Sequence, residues 1–406
     1  MAKRHLIGIG GVGRSALATA LVKLGDEVTG ADRTLGTPNI RFLESLGIKV
    51  YPDDGSGVDA ATDEVIVSTA IEETNAGFAK AKELGIPVTH RAKALARTLK
   101  DYKLVAVVGT CGKSTGTAML GHVLAECGLD PMCVNGANVP GWEGAVRFGK
   151  GQYAVAEVDE SDKSLVAFKP YAAIVTNASA DHYSKEEMDA VFDAFVENVP
   201  GPVIDGRAAP IVPSDLARTI PLPGEHNAVN AECAVRMALA LGAERAKIAA
   251  ALKTFPGVER RLQRVGVCGE AVVYDDYAHN PEKLHAMLTT LQSAYPKGIA
   301  VVWRPHGYAP LRKMMDALAT MFRGTLRACD LLLLPPVYDA GGTTDRSVNS
   351  DALVAKLVGA PVQLVEDLED AESILRTRAS AFGALVAAGA RDPGLPVLAR
   401  RLAGKE

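Results

Sequence analysis

Short apolar runs rich in β-branched residues alternate with Ala/Leu-rich stretches of helical pattern from one end of the chain to the other. His5–Ile9, Val65–Ser68, Leu104–Val108, Ala172–Thr176, Val272–Asp275, Ile299–Trp303 and Leu331–Leu334 are the clearest of these runs. Such alternation predicts an α/β fold, with parallel sheets covered by helices on both faces. The pattern has no internal repeat and no low-complexity tract. It breaks near Thr98–Lys103, where a basic helical stretch meets a buried-type strand, and again near Pro256–Arg264, a Pro-Gly turn followed by arginines. A chain of 406 residues needs more than one core. The breaks predict three α/β domains, over residues 1–101, 102–258 and 259–406.

Composition narrows the class. Hydrophobic residues make up 48% and charged residues 23%, as in a folded globular protein and unlike a disordered one. A net charge of −4 offers no electrostatic footprint for nucleic acid or an anionic membrane, so neither is expected as a partner. Any phosphate must be held by local backbone and a few cations. Cys111, Cys127, Cys133, Cys233, Cys268 and Cys329 lack CxxC pairing or metal spacing, which predicts reduced thiols and a cytoplasmic protein. The glycines after Ile7 interrupt the first apolar run, so it reads as neither a signal peptide nor a membrane span.

Two segments have the form strand, glycine turn, helix. In the first, Gly8, Gly10 and Gly13 satisfy G-x-G-x-x-G, a helix is predicted over Arg14–Leu24, and Asp32 ends the next strand. Missing side chains let backbone amides approach a diphosphate at a helix N-terminus. The same spacing also suits a nicotinamide dinucleotide, or a tight turn with no ligand. In the second, Leu104–Val108 runs into Gly109-Thr110-Cys111-Gly112-Lys113-Ser114-Thr115. There the amides would cradle ATP phosphates, Lys113 would neutralise them, and the Ser114 hydroxyl would reach Mg²⁺. It is not a full Walker A motif, because Val107 stands where the first glycine belongs. Acids at the end of a later strand, beginning with Glu157, suit a divalent metal beside ATP. Asn227 and Asn230 open an Ala-rich helix three residues apart and can face one ligand. Asp275 and Asp276 end an apolar strand, where desolvated charges need partners.

Together these segments resemble the Mur ligase family. Gly109–Thr115 is similar to its phosphate loop, with Cys111 in place of a histidine and Ser114 in place of a threonine. Ala156-Glu157-Val158-Asp159-Glu160-Ser161-Asp162 and the later Asp181-His182 look like its metal-binding elements, which implies Ser114, Glu157 and His182 as ligands of Mg²⁺ or Mn²⁺. Pro223–Ala231 is similar to the segment beside adenine, implying Asn227 and Asn230 as ATP contacts. Phe255–Leu262 is similar to the segment whose arginine contacts ATP phosphate; Arg260 and Arg261 both fit, and Arg260 is favoured. Asp275-Asp276-Tyr277-Ala278-His279 implies Asp276 on the nucleotide, with Tyr277 and His279 on the amino-acid side. His306 and Tyr308 fit the next motif, while Gly307 and Pro310 stand in place of two arginines. Val67–Ile71, Asn75 and Arg91 resemble the UDP-sugar domain of the UDP-N-acetylmuramate ligases within the family. That similarity assigns Gly10, Gly11, Val12, Gly13, Asp32, Ser68, Ala70 and Arg91 to the sugar nucleotide.

The resemblance implies a Rossmann-like N-terminal domain, a P-loop central domain and a Rossmann-like C-terminal domain. The central domain is shortened, with only 43 residues between His182 and His226. ATP is the implied co-substrate, beside a UDP-linked sugar acid and an amino acid. The implied reaction is ATP-dependent amide formation through an acyl phosphate, joining L-alanine to the carboxylate of UDP-N-acetylmuramate for peptidoglycan precursors. Lys113, Glu157, His182, Arg260 and His279 are the implied catalytic residues, and Gly109, Thr110, Gly112, Ser114 and Thr115 complete the ATP set. The departures at Cys111, Gly307 and Pro310 and the short centre leave rivals: a different acid or a peptide as substrate, or a homologue with reduced catalysis. A nicotinamide oxidoreductase would explain the first glycine loop alone.

Overall fold

The computed structural model describes residues 1–159, 164–178, 185–207, 210–339 and 345–405. His182 and residues 160–162 lie outside the described residues. Three sheets organise the described chain.

The first sheet contains β1 (Lys3–Ile7), β2 (Glu27–Asp32), β3 (Lys49–Pro52), β4 (Glu64–Val67) and β5 (Val88–His90), all parallel, in the order β3-β2-β1-β4-β5. Chain direction across the sheet reverses between β1 and β4. In open α/β sheets that reversal opens a crevice beyond the strands' carboxyl ends, where ligands bind.

The second sheet contains β6 (Lys103–Val108), β7 (Met132–Val134), β8 (Val146–Arg147), β9 (Tyr153–Glu157), β10 (Ala172–Val175) and β11 (Val203–Asp205), in the order β11-β10-β6-β9-β7-β8. Only β7 and β8 pair antiparallel. Leu104–Val108 of β6 are all buried, because a central strand covered on both faces has no solvent side for polar residues. The helix Lys113–Glu126 that follows is likewise buried along most of its length.

The third sheet contains β12 (Gln263–Cys268), β13 (Ala271–Asp276), β14 (Ile299–Trp303), β15 (Leu331–Leu334), β16 (Val362–Leu364) and β17 (Ala384–Ala388), in the order β12-β13-β17-β14-β15-β16. β12 runs antiparallel to β13 and the rest are parallel. Each of the seven apolar runs read from the sequence coincides with a strand, although His5–Ile9, Val65–Ser68 and Ala172–Thr176 run one or two residues past its end.

The described chain forms two compact units, residues 1–221 with 226–258, and residues 222–225 with 259–406. The first unit holds two sheets because they share a core: Ala92, Leu95 and Leu99 of the helix at residues 91–98 and its end pack in one apolar cluster with Leu104, Met132 and Leu165. Among the described residues no helix is long and apolar enough to cross a membrane.

Candidate active site

β1 ends at Ile7, and the chain turns through Gly8 at φ 70°, a conformation open to glycine and costly to other residues. Asp32, at the end of β2, accepts a hydrogen bond from the Gly10 amide at 2.9 Å, and Asn39 donates to the Gly10 carbonyl at 2.9 Å. Gly10 and Asp32 therefore fasten the loop from β2 and the helix after it. Gly11, Val12 and Gly13 lead into the helix Val12–Lys23, whose first turn has neither a capping side chain nor an acid. Elsewhere Thr37, Asn75, Asn280, Asn349 and Asp367 cap their helices with a side-chain oxygen. The amide end left uncapped favours an anion.

That helix end opens on a cavity of about 350 Å³. Gly11, Val12, Gly13, Arg14, Ser68, Thr69, Arg91 and Leu95 line one side, and Val134, Asn135, Gly136, Glu157 and Asp159 the other. Of the expected sugar-nucleotide residues, Gly11, Val12, Gly13, Ser68 and Arg91 meet there; Gly10, Asp32 and Ala70 are not in its lining. Arg91 pairs loosely with Asp159 across the cavity, at 3.4 Å. Arg14 lies over the glycine loop and donates to the Gly8 carbonyl and the Ser68 hydroxyl. Loss of hydration lowers its pKa against the pull of Asp32, with Arg91 pushing the same way as burial. A guanidinium remains charged despite this.

The second loop is pinned from β10. Asn177 Oδ1 accepts from the Thr110 hydroxyl at 2.7 Å and the Cys111 amide at 2.9 Å, and its side-chain amide donates to the Cys111 carbonyl at 3.0 Å. Thr176 donates to the same carbonyl at 2.6 Å. Gly109 and Gly112 adopt φ 128° and 82°. A Cβ at Gly109 would fall 2.2 Å from Thr176 Oγ1, and one at Gly112 would fall 2.7 Å from Asn230 Oδ1. The structure thus brings Asn230, from the helix Glu225–Ala240, onto the phosphate loop; Asn227 is buried in the same helix. Lys113 Nζ donates to the Gly109 carbonyl at 2.6 Å, which holds the ammonium over its own loop. Ser114 and Thr115 occupy the first turn of the helix Lys113–Glu126, which again has no capping side chain.

Glu157 ends β9 and pairs in register with Val107 of β6, the strand that feeds the phosphate loop. Its carboxylate accepts from the Gly136 amide at 2.8 Å, and a Cβ on Gly136 would sit 2.3 Å from that carboxylate. Ser114 hydroxyl and Glu157 carboxylate are hard oxygen donors of the kind Mg²⁺ takes. Among the described residues no group of three or more His, Cys, Asp or Glu could hold a metal.

The second unit carries the other expected residues at the carboxyl ends of β13, β17 and β14. Asp276 accepts from the Leu262 and Ala278 amides, both at 2.7 Å, so its carboxylate braces the turns on either side. Arg260, at φ 58°, donates to the Gly389 carbonyl, approaches Asp275 at 3.4 Å and lies 4.9 Å from the Tyr277 ring centre. Burial raises the Asp275 carboxyl to about 6, against the pull of Arg260. His279 Nδ1 bonds the Tyr277 carbonyl at 2.9 Å, and its ring is 5.1 Å from that of His306. Burial holds His306 down at about 4, with His279 and Arg391 adding to the effect, so its imidazole is neutral at pH 7. Arg304 is paired with Asp392 at 2.8 Å and Arg312 with Asp345 at 2.7 Å. Gly307 sits at φ 152°, where a side chain would be strained.

Sequence reasoning passed over Arg14, Asn135, Gly136 and Asn177. Asn177 had a signal, standing in a Val-Thr-Asn run at the end of an apolar strand. The others owe their place to the cavity alone.

The chain matches "Mur ligase family, catalytic domain" over residues 3–103 and "Mur ligase, glutamate ligase domain" over residues 260–391. It is 33% identical to a UDP-N-acetylmuramate–L-alanine ligase of Solidesulfovibrio magneticus, covering 86% of each chain. It is 31% identical to the enzyme of that name from Laribacter hongkongensis, covering 93% of this chain and 95% of the relative. The crystal structure of UDP-N-acetylmuramate–alanine ligase from Thermotoga maritima has the same fold, with a TM-score of 0.81 at 24% identity over 100% of this chain and 99% of that one. Fold and sequence together define an ATP-dependent, ADP-forming ligase. The chain belongs to the Mur ligase family.

Proposed function

We propose that the protein joins L-alanine to the carboxylate of UDP-N-acetylmuramate at the expense of ATP, in the cytoplasmic synthesis of peptidoglycan precursors. One observation carries this reading: a single cavity is lined by the uncapped helix end of the first glycine loop and by Glu157, whose strand lies beside the one feeding the phosphate loop. A sugar nucleotide anchored at Gly11–Gly13 can present its acid toward the phosphates of ATP. The domain limits 1–101, 102–258 and 259–406 belong to the same reading.

The uncapped amides after Gly11, with Arg14 and Arg91, take the diphosphate of the sugar nucleotide. Amides of Gly109–Ser114 and the Lys113 ammonium take the ATP phosphates. Mg²⁺ or Mn²⁺, held by Ser114, Glu157 and His182, supplies neutralisation of phosphate charge when bound. A carboxylate oxygen of the acid attacks the γ-phosphorus in line; the bond to the β–γ bridging oxygen breaks and ADP leaves. Lys113 follows the charge onto the transferring group. The amine of L-alanine then attacks the acyl carbon and phosphate departs, after the nitrogen has lost a proton. His279, whose Nδ1 is held on the Tyr277 carbonyl and whose ring lies 5.1 Å from that of His306, would accept it at Nε2.

Phosphate release tests the proposal. Release should require ATP, UDP-N-acetylmuramate and L-alanine together, and one product should carry the mass of UDP-N-acetylmuramoyl-L-alanine. Release that ignores the sugar nucleotide, or proceeds only with a peptide as amine, would refute it.

A further inference from the structure

Asn135 follows β7 and is 2% exposed. Its side-chain amide donates to the Ala137 carbonyl at 3.0 Å, while its side-chain oxygen is buried with no hydrogen-bond partner among the described residues. Turning the amide over would set oxygen against the Ala137 carbonyl, so the bond to Ala137 fixes which atom is the oxygen. Asn135 also lines the 350 Å³ cavity. A buried acceptor with no donor is costly, and native structures keep few of them. Its neighbour Gly136 has its amide committed to Glu157, which holds the backbone of the segment in place.

The two sides of the cavity differ in chemistry. Arg14, Arg91 and the helix amides on one side favour an anion, while Asn135, Glu157 and Asp159 on the other carry side-chain oxygens. A ligand that combines phosphate with N–H or O–H groups complements both sides. An inorganic or free nucleotide phosphate satisfies only the first part.

We propose that Asn135 is a specificity-determining residue that accepts a hydrogen bond from an amide N–H or hydroxyl on the sugar of the sugar-nucleotide substrate. The inference rests on the reading of the cavity as the sugar-nucleotide site. A site built to accept from such a donor rejects ligands lacking it, because the oxygen then stays orphaned. Asn135 therefore separates UDP-N-acetylmuramate from UDP, whereas the glycine loop holds both.

The test is binding of UDP and of UDP-N-acetylmuramate to the full chain by titration calorimetry, without ATP or metal. Wild type, Asn135→Leu and Asn135→Ser are compared, the serine keeping a smaller acceptor in case leucine does not fit. Wild type should bind the sugar nucleotide more tightly than UDP. Asn135→Leu should weaken the sugar nucleotide by roughly ten- to a hundredfold and leave UDP unchanged, with Asn135→Ser in between. Equal weakening of both ligands by both variants would mean that the substitution merely loosens the loop, and overturns the inference. Unchanged affinity for the sugar nucleotide in a folded variant overturns it too. Wild-type protein that binds neither ligand would overturn the site reading itself.

Discussion

Replacing Arg14 by Met removes a cation from the first glycine loop while keeping a long, unbranched side chain that suits the start of a helix. Among the described residues the guanidinium donates to a carbonyl and a hydroxyl, and no carboxylate pairs with it. Its charge is partly desolvated and pushed further by Arg91. An incoming diphosphate relieves both penalties. A hydrogen bond between a charged pair of this kind is worth about 1.5–3 kcal/mol, so the KM for UDP-N-acetylmuramate should rise roughly 10- to 150-fold. The Ser68 hydroxyl released by the change borders the cavity and can take water, so the thermal midpoint should fall by a few degrees at most. The assay is initial-rate phosphate release with each substrate varied in turn. Only the sugar-nucleotide constant should move, with those for ATP and L-alanine unchanged. Arg14→Lys should recover part of the loss, since it restores the charge without the planar fork. An unchanged sugar-nucleotide constant, or a parallel rise in all three, would refute the reasoning and make Arg14 a structural brace.

Lys113→Ala should cost at least about 100-fold in kcat with the circular dichroism spectrum intact, because the side chain lies over the phosphate loop and is not part of an apolar core; near wild-type turnover would contradict its role. Gly112→Ala places a methyl group 2.7 Å from Asn230 Oδ1 at φ 82°, so the KM for ATP should rise and the thermal midpoint drop, both visible in one melting series with and without ATP. Asp275 has a folded-state pKa near 6, above the ordinary 3.8, so the fold binds its proton more readily than the unfolded chain does. Its contribution to stability is full below about pH 4 and lost as pH rises through 6. Relative to Asp275→Asn, wild type should therefore lose about 3 kcal/mol between pH 4 and pH 7. Denaturant unfolding of the two proteins across that range measures it, and a pH-independent difference would contradict the assignment.

The strands that were legible in the sequence are those buried on both faces, such as Leu104–Val108 and Leu331–Leu334, where every residue is apolar. β8 and β12 were not: one has two residues, and the other, an edge strand, is half-exposed and carries no apolar run. Both form the antiparallel pairs that an alternating pattern does not announce. The break near residues 98–103 marks the passage from a helix to β6, yet Leu95 and Leu99 join the core of both sheets, so chemistry along the chain changes where packing does not. At the site, glycine spacing located both loops because positive φ and close contacts leave glycine no substitute. It could not tell which amides face a ligand: the Gly10 amide is bonded to Asp32 and that of Gly11 to the Gly8 carbonyl, while Val12 and Gly13 border the cavity. Arg14 and Asn135 were illegible for another reason. Their meaning lies in their place on the cavity, which only three dimensions reveal.

The central claim is that a carboxylate of the sugar nucleotide is activated by phosphoryl transfer and then captured by an amine. Oxygen tracing tests it most directly. UDP-N-acetylmuramate labelled with ¹⁸O in its carboxylate is turned over with ATP and L-alanine, and the phosphate released is analysed by mass. Attack by the carboxylate leaves one labelled oxygen on each phosphate and the other in the new amide. Phosphate free of label, with both labelled oxygens still on the sugar acid, would contradict the account.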